Sequence, residues 1–167
     1  IEIFPNRPDL LSLQGFIRLL FYIGNWQFMT IALNIPETIQ SAFQHHRAGR
    51  LQHAGALYQQ VLEVDPGNAN VLHLLGVLAH QLGQEELAVE LIKRAIEIDP
   101  TCAESHNNLG NVLREQGKMD EALSYYERAL AIAPTNPDAN NNLGLIMRER
   151  GRLAEASAYF PRALDID

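Results

Sequence analysis

Histidine and cysteine are the side chains in this sequence whose chemistry most readily supports metal binding or nucleophilic catalysis. Three of the six histidines, His45, His46 and His53, lie close together in the chain. Adjacent histidines point to different sides of a helix, however, and no carboxylate completes their ligand set at helical spacing. Cys102 is the single cysteine, and no motif around it would activate its thiol. We therefore predict no metal site and an inert thiol.

Four glutamates could act as general acids or bases if they lay together in a cleft. They fall instead on predicted polar faces or helix starts, where a carboxylate is solvated or interacts with the helix dipole. These residues are Glu85, Glu86, Glu115 and Glu121. The sequence also contains no glycine-rich phosphate loop. We therefore predict that this chain by itself is not an enzyme and uses no cofactor.

The charge balance is acidic, with 13 Lys and Arg residues against 20 Asp and Glu residues. A nucleic-acid partner requires a basic surface, so this balance argues against one. One cysteine in 167 residues excludes an internal disulfide framework and fits a reducing compartment, which favours a cytoplasmic location. Because the first residue is Ile rather than Met, we expect a fragment or a processed product.

The elements that position these side chains repeat every 34 residues. When the chain is written in rows of 34 residues from Ile35, glycine stands in column 15 of every row. Columns 4, 7, 8 and 11, where most residues are apolar or small, share one helical stripe, and the apolar or small residues at columns 20, 24, 27 and 28 share another. Each row therefore predicts two amphipathic helices that reverse direction at the glycine, and in the first three rows a proline at column 32 ends the second helix. The predicted units are 35–68, 69–102, 103–136 and 137–167.

These columns resemble the tetratricopeptide repeat (TPR) family, most fully in "HNNLGNVLREQGKMDEALSYYERALAIAP", His106 to Pro134. The Leu-Gly pair, the alanines, the aromatic residue and the proline of the family pattern all stand there. The first repeat is degenerate, because Ser41-Ala42 replaces Leu-Gly. The resemblance implies an all-α, right-handed superhelix of about four helix-turn-helix repeats, with first helices lining a concave groove. It also implies an interaction scaffold that binds a peptide or a partner protein in that groove.

The resemblance places columns 2, 5, 6, 9, 12 and 13 of each first helix on the concave face. The column 2 acids, Glu104 and Asp138, would repel a C-terminal carboxylate, which disfavours the co-chaperone subgroup that grips one. Asn108 and Asn142 at column 6 are similar to the asparagine ladder of O-GlcNAc transferases, which holds the main chain of an extended peptide. Alternatively, these asparagines bond only to a neighbouring helix. The predicted peptide-binding residues are Asn107, Asn108, Asn111, Asn141, Asn142, His73, Glu104 and Asp138.

The resemblance of these asparagines to the ladder of O-GlcNAc transferases also implies an alternative function. The chain would then be the substrate-recognition TPR region of a larger bacterial glycosyltransferase that resembles O-GlcNAc transferase. The two interpretations differ in the sequence expected after Asp167 in the gene, because only the second requires a catalytic domain there.

Residues 1–34 do not fit the repeat, although residues 10–33 are rich in Leu, Phe and Ile. Polar breaks such as Arg18, Asn25 and Gln27 argue against a membrane-spanning helix. We predict an apolar helical arm that covers the exposed end of the first repeat. One alternative is that the arm occupies its own groove or that of a second copy, which would make a homodimer. A membrane anchor is the other alternative.

Pro161 is a second departure from the pattern, because repeat three has Glu127 at that column. An interior proline loses one backbone hydrogen bond and crowds the carbonyl of Ser157. We therefore predict that the last helix is kinked or broken. The apolar residues of that helix have no following helix in the sequence, so we expect them to pack on further repeats or on another copy.

Overall fold

The computed structural model describes residues 34–164 and, within them, the side chains as far as residue 160. Every regular element in this range is an α-helix, which confirms the predicted all-α class. The helices form four consecutive pairs, one in each 34-residue row. Their bounds are α1 (Ile35–Arg47), α2 (Leu51–Val64), α3 (Ala69–Gln81), α4 (Glu85–Ile98), α5 (Ala103–Glu115), α6 (Met119–Ile132), α7 (Pro137–Glu149) and α8 (Leu153–Leu164). The predictions for the arm fall on residues 1–33, which lie outside the described range.

Side-chain caps start three of the four first helices. Asn34, Asn68 and Asn136 each accept a hydrogen bond from the backbone N–H three residues later, at 3.4, 3.1 and 2.9 Å. These bonds satisfy backbone donors that have no partner inside the helix. Pro137 is the first residue of α7, where its missing N–H costs nothing because that donor has no partner inside the helix. Helix α5 follows Cys102, which makes no such cap.

The column 15 glycine makes the reversal within each pair. Gly83, between α3 and α4, has a φ of +72°, in the left-handed region that side chains disfavour. A Cβ at Gly83 would have no atom within 4 Å, so the backbone angle and not the space requires glycine. The next residue, Gln84, donates its N–H to the carbonyl of Ala79 at 2.9 Å, which closes the turn.

The Leu-Gly pair is explained by the close approach of the two helices within a repeat. A Cβ on Gly110 would lie 2.6 Å from Cε1 of Tyr126, a ring that is fully buried between α5 and α6. Gly76 meets Ile92 and Gly144 meets Phe160 in the same way, at 2.5 and 2.7 Å. The helices can therefore pack this closely only because the side chain is absent.

Packing between repeats makes the stack continuous. Each second helix contacts the first helix of the next repeat, and first helices of neighbouring repeats also contact each other, α3 with α5 and α5 with α7. Because the first helices meet across repeats, they form the inner side of the array. One apolar cluster runs from α3 to α8, and a second joins α1, α2 and α3. The architecture is an α-solenoid of four helix pairs over the described residues.

Helix α8 is continuous from Leu153 to Leu164 and passes through Pro161. The predicted break is therefore wrong, whereas the kink stays a prediction. Proline removes only the single bond that its own N–H would make to Ser157, and it stands one turn before the helix ends, so the turns on either side persist. Within residues 34–164, no helix combines the length and the apolar content needed to cross a membrane.

Candidate ligand-binding groove

The predicted peptide-binding residues all lie on α3, α5 and α7, the first helices of repeats two to four. They form two groups by solvent exposure, and exposure determines which of their atoms a ligand can reach. The buried or half-buried group consists of His73, Asn107, Asn108, Asn111 and Asn142. The exposed group consists of Glu104, Asp138 and Asn141. Buried polar groups require hydrogen-bond partners, so the contacts of the first group decide which of its atoms can reach a ligand.

Asn142 joins the fourth repeat to the third. Its side-chain N–H group donates to Oδ1 of Asn107 at 3.1 Å and to Oδ1 of Asn111 at 2.9 Å. Asn111 also accepts a hydrogen bond from the hydroxyl of Tyr126 at 2.8 Å, so the network continues to α6. Burial raises the pKa of Tyr126 to about 12, which keeps that hydroxyl protonated as a donor.

Asn108 joins the third repeat to the second through His73. The Asn108 amide nitrogen lies 3.1 Å from His73 Nε2 and donates to it, so His73 carries its proton on Nδ1. Nδ1 then donates to Oγ of Ser105 at 2.5 Å, and Ser105 donates to Sγ of Cys102 at 3.1 Å. Burial lowers the pKa of His73, against an opposing effect of Glu104, which favours this neutral form.

Both column 6 asparagines therefore form hydrogen bonds to the first helix of the preceding repeat. This is the contact expected if their role is to join neighbouring helices. They use only the amide nitrogen for this contact. Among residues 34–164, neither Oδ1 of Asn108 nor Oδ1 of Asn142 has a hydrogen-bond partner, and neither is fully enclosed. The arrangement leaves one carbonyl oxygen in each of the third and fourth repeats able to accept a hydrogen bond from a ligand.

The pairing follows a constant offset of 35 residues, one more than the repeat length. Asn108 pairs with His73 and Asn142 pairs with Asn107 at this offset. At the first junction the corresponding residues are Leu74 and Ile39, which pack in the same apolar cluster. A column 6 side chain therefore faces the column 5 side chain of the preceding repeat, and the two members of each pair match in polarity.

A cavity of about 360 Å³ opens between the first turns of α3 and α5. It is lined by His73, Leu74, Asp99, Cys102, Glu104 and Ser105, among others. Hydrogen bonds from the side chain and backbone of Thr101 lower the pKa of Asp99, so this carboxylate stays ionised. With Glu104 exposed beside it, this edge of the groove is anionic.

The histidine group of the first repeat is held by ordinary contacts. His45 stacks on His53 with ring centroids 5.5 Å apart, and its Nδ1 accepts a hydrogen bond from Arg50 at 2.8 Å. His46 pairs instead with Gln81 of the next repeat, with 3.0 Å between Nε2 and Oε1. His46 therefore has a different partner from the stacked pair, and these three side chains do not form a group of converging ligand atoms among the described residues.

Comparison with known proteins places the chain in a family. Two family models described as tetratricopeptide repeat match residues 45–110 and 101–167. No curated protein matches the chain. Among solved structures, a crystal structure of MamA has a TM-score of 0.70 at 22% identity and covers 98% of this chain and 95% of its own.

Two further solved structures are similar. MamA 41-end from Desulfovibrio magneticus RS-1 has a TM-score of 0.68 at 14% identity, with 91% of each chain covered. The structure titled as a functional characterization of pilF from Pseudomonas aeruginosa has a TM-score of 0.72 at 27% identity, and covers 78% of this chain and 60% of its own. The likeness to MamA, at these identities, shows the fold alone. Since the two family matches together span residues 45–167, the chain belongs to the tetratricopeptide repeat family.

Proposed function

We propose that this chain is an interaction module that binds an extended segment of a partner protein along α3, α5 and α7, without performing chemistry itself. Tetratricopeptide repeats form protein-interaction scaffolds, and the polar side chains of the inner helices are the groups that such a segment would meet. The observation that carries the proposal is that the Oδ1 atoms of Asn108 and Asn142 have no hydrogen-bond partner within the part of the chain that the structure describes. A ligand backbone N–H donates to each of them.

The spacing of these two oxygens suits an extended chain. Packed helices stand about 8–10 Å apart, and an extended peptide advances about 3.3 Å per residue, so one repeat spans about three ligand residues. The amide nitrogens already hold both side chains in place, which lowers the ordering entropy that binding must overcome. Main-chain recognition of this kind accepts many sequences, so the flanking charges must supply the selectivity.

Those charges favour a basic segment. Asp99 and Glu104 carry negative charge at the cavity between α3 and α5, which has room for one long side chain, and Asp138 is an exposed acid in the first turn of α7. Lysine or arginine in the ligand complements these acidic side chains, whereas a terminal carboxylate is repelled. We therefore expect a partner segment with at least one basic residue and no requirement for a free C-terminus.

An array of 12-residue peptides in basic, neutral and acidic classes tests the proposal. We expect binding to the basic class, with affinity that falls as salt is raised. Glu104→Lys should weaken this binding, and Glu127→Lys on the second helix α6 is the matched control, because it makes the same charge change at another exposed site. Equal binding of all three peptide classes, or equal effects of the two substitutions on affinity, would contradict the proposal that acidic side chains select a basic ligand.

The asparagine contacts are tested separately. Asn108→Ala should weaken binding of any extended peptide while the chain stays folded, as checked by circular dichroism. An unchanged affinity would mean that Asn108 only joins α5 to α3 through His73 and does not contact the ligand. The alternative of a larger glycosyltransferase makes the same groove prediction, and the gene sequence around these repeats distinguishes it.

Self-association and location remain predictions. Residues 1–34 or the last helix could join two copies, and sedimentation of the full chain beside a chain lacking residues 1–34 tests the first route. Loss of a dimer on deletion supports a swapped arm, whereas loss of stability in a monomer supports a cap. A cytoplasmic location would be checked by fractionation.

A further inference from the structure

Three side chains able to bind a metal ion meet at the junction between the second and third repeats. They are His80 in the last turn of α3, Glu85 at the start of α4 and Glu115 at the end of α5. One ligand atom of each lies within 4.8 Å of the other two. The turn at Gly83 brings Glu85 back beside His80, and the 35-residue offset brings Glu115 to it from the next repeat.

The two ring nitrogens of His80 face different carboxylates. Nδ1 lies 3.2 and 3.1 Å from the two carboxylate oxygens of Glu85, which is hydrogen-bond distance. Nε2 lies 3.5 Å from Oε1 of Glu115, beyond the usual range for such a bond. A neutral imidazole has one N–H, so once Nδ1 donates to Glu85, Nε2 presents a lone pair to the Glu115 carboxylate. Two electron-rich atoms then face each other across a gap.

We propose that a borderline divalent transition-metal ion, with Zn²⁺ as the probe, binds between His80 Nε2 and the Glu115 carboxylate. Metal–nitrogen and metal–oxygen distances for zinc are about 2.0–2.2 Å, so two ligands at a tetrahedral angle stand about 3.4 Å apart. The gap of 3.5 Å between Nε2 and Oε1 matches that separation. The ion removes the repulsion between the two ligand atoms, and water completes its coordination.

Glu85 has a positioning role in this site. A carboxylate that accepts the other N–H of a metal-binding histidine fixes its tautomer and ring orientation, and such partners affect affinity by about 10–100-fold. The side chains of His80 and Glu85 are 20% and 29% exposed, which leaves them reachable by an ion from solvent. An imidazole ligand with few carboxylates favours zinc or a similar ion over Ca²⁺ or Mg²⁺, which require more oxygen ligands.

The other junctions show that this set is not a general feature of the repeat. At the first junction, His46 occupies the place of His80, but Gln81 and Leu51 replace the two carboxylates. At the third junction, Arg114 replaces the histidine. The first junction therefore provides a control with the same backbone geometry and no acid.

Zinc titration of the full chain, freed of metal by a chelator, tests the proposal by calorimetry and thermal unfolding. We expect one Zn²⁺ per chain and a higher unfolding temperature, because the ion links α3 to α5. His80→Gln should abolish both effects, Glu115→Gln should weaken binding strongly, and Glu85→Gln should weaken it about 10–100-fold. His46→Gln should change neither effect.

Two results would overturn the metal site. One is the absence of zinc uptake by the parent chain under conditions where it is folded. The other is uptake that survives His80→Gln but disappears when His45 and His53 are replaced, which would assign the binding to the first repeat. Each variant's metal-free unfolding curve shows whether it folds.

Discussion

Replacing Asn142 with alanine tests the network that joins the third and fourth repeats. The substitution removes the amide that donates to Asn107 and Asn111, at 3.1 and 2.9 Å. Asn111 keeps the hydroxyl of Tyr126, but the 5% exposed side chain of Asn107 loses its partner. Leaving a buried acceptor unpaired costs about 1–3 kcal/mol, which sets the expected loss of unfolding free energy.

Asn141→Ala is the matched control for this prediction. It makes the same change one residue earlier in α7, at an exposed position. The gain in helix propensity from asparagine to alanine, less than about 0.7 kcal/mol, is common to both variants and cancels in their difference. We therefore expect Asn142→Ala to be less stable than Asn141→Ala by about 1–3 kcal/mol.

Urea unfolding followed by circular dichroism measures this difference. With a slope of about 2 kcal/mol per molar urea, the two midpoints should differ by about 0.5–1.5 M. Asn142→Asp should be less stable still, because it places an anion against two carbonyl oxygens. Equal midpoints for the two alanine variants would refute the reasoning, since the hydrogen bonds of the Asn142 amide would then contribute nothing to the unfolding free energy.

Three further predictions concern packing and protonation. Gly110→Ala should lower the unfolding free energy measured in urea by about 1–2 kcal/mol, because the cost of overpacking against Tyr126 exceeds the gain in helix propensity. Gly55→Ala should raise it by about 0.5–1 kcal/mol, because the nearest atom to the added Cβ lies 3.8 Å away. Tyr126 has a pKa of about 12 when folded against 10.0 unfolded, so stability should fall between pH 10 and 12, less steeply in Tyr126→Phe. The pKa of His73 is lowered by burial, so its ring proton shifts in NMR should titrate below the usual pH, and stability should decline as pH falls below about 6.5.

The repeat pattern predicts most of the fold because its columns report local requirements. Gly83 makes the reversal predicted at column 15, and Gly110, in a column of apolar or small residues, allows the close approach of Tyr126. Both requirements act within one helix pair. A single 34-residue row is therefore sufficient to predict them.

The contacts between repeats could not be predicted in the same way. His80 meets Glu115, and Asn108 meets His73, across 35 residues, one more than the period. When the rows are aligned, His80 and Arg114 stand in the same column, whereas Glu115 stands one column further on. The alignment therefore does not show that His80 meets Glu115. Comparing each column 12 residue with column 13 of the next row would have found the pair with Glu115.

The same offset gives the repeats a serial order. If residues 69–102 and 103–136 were exchanged, Asn108 would face Ile39 and Asn107 would face Leu74, so amides would lie against apolar side chains. Asn142 would then face His73. Each repeat therefore specifies its own neighbour, and a shuffled chain with unchanged composition and unchanged helices would stack less stably than the natural one.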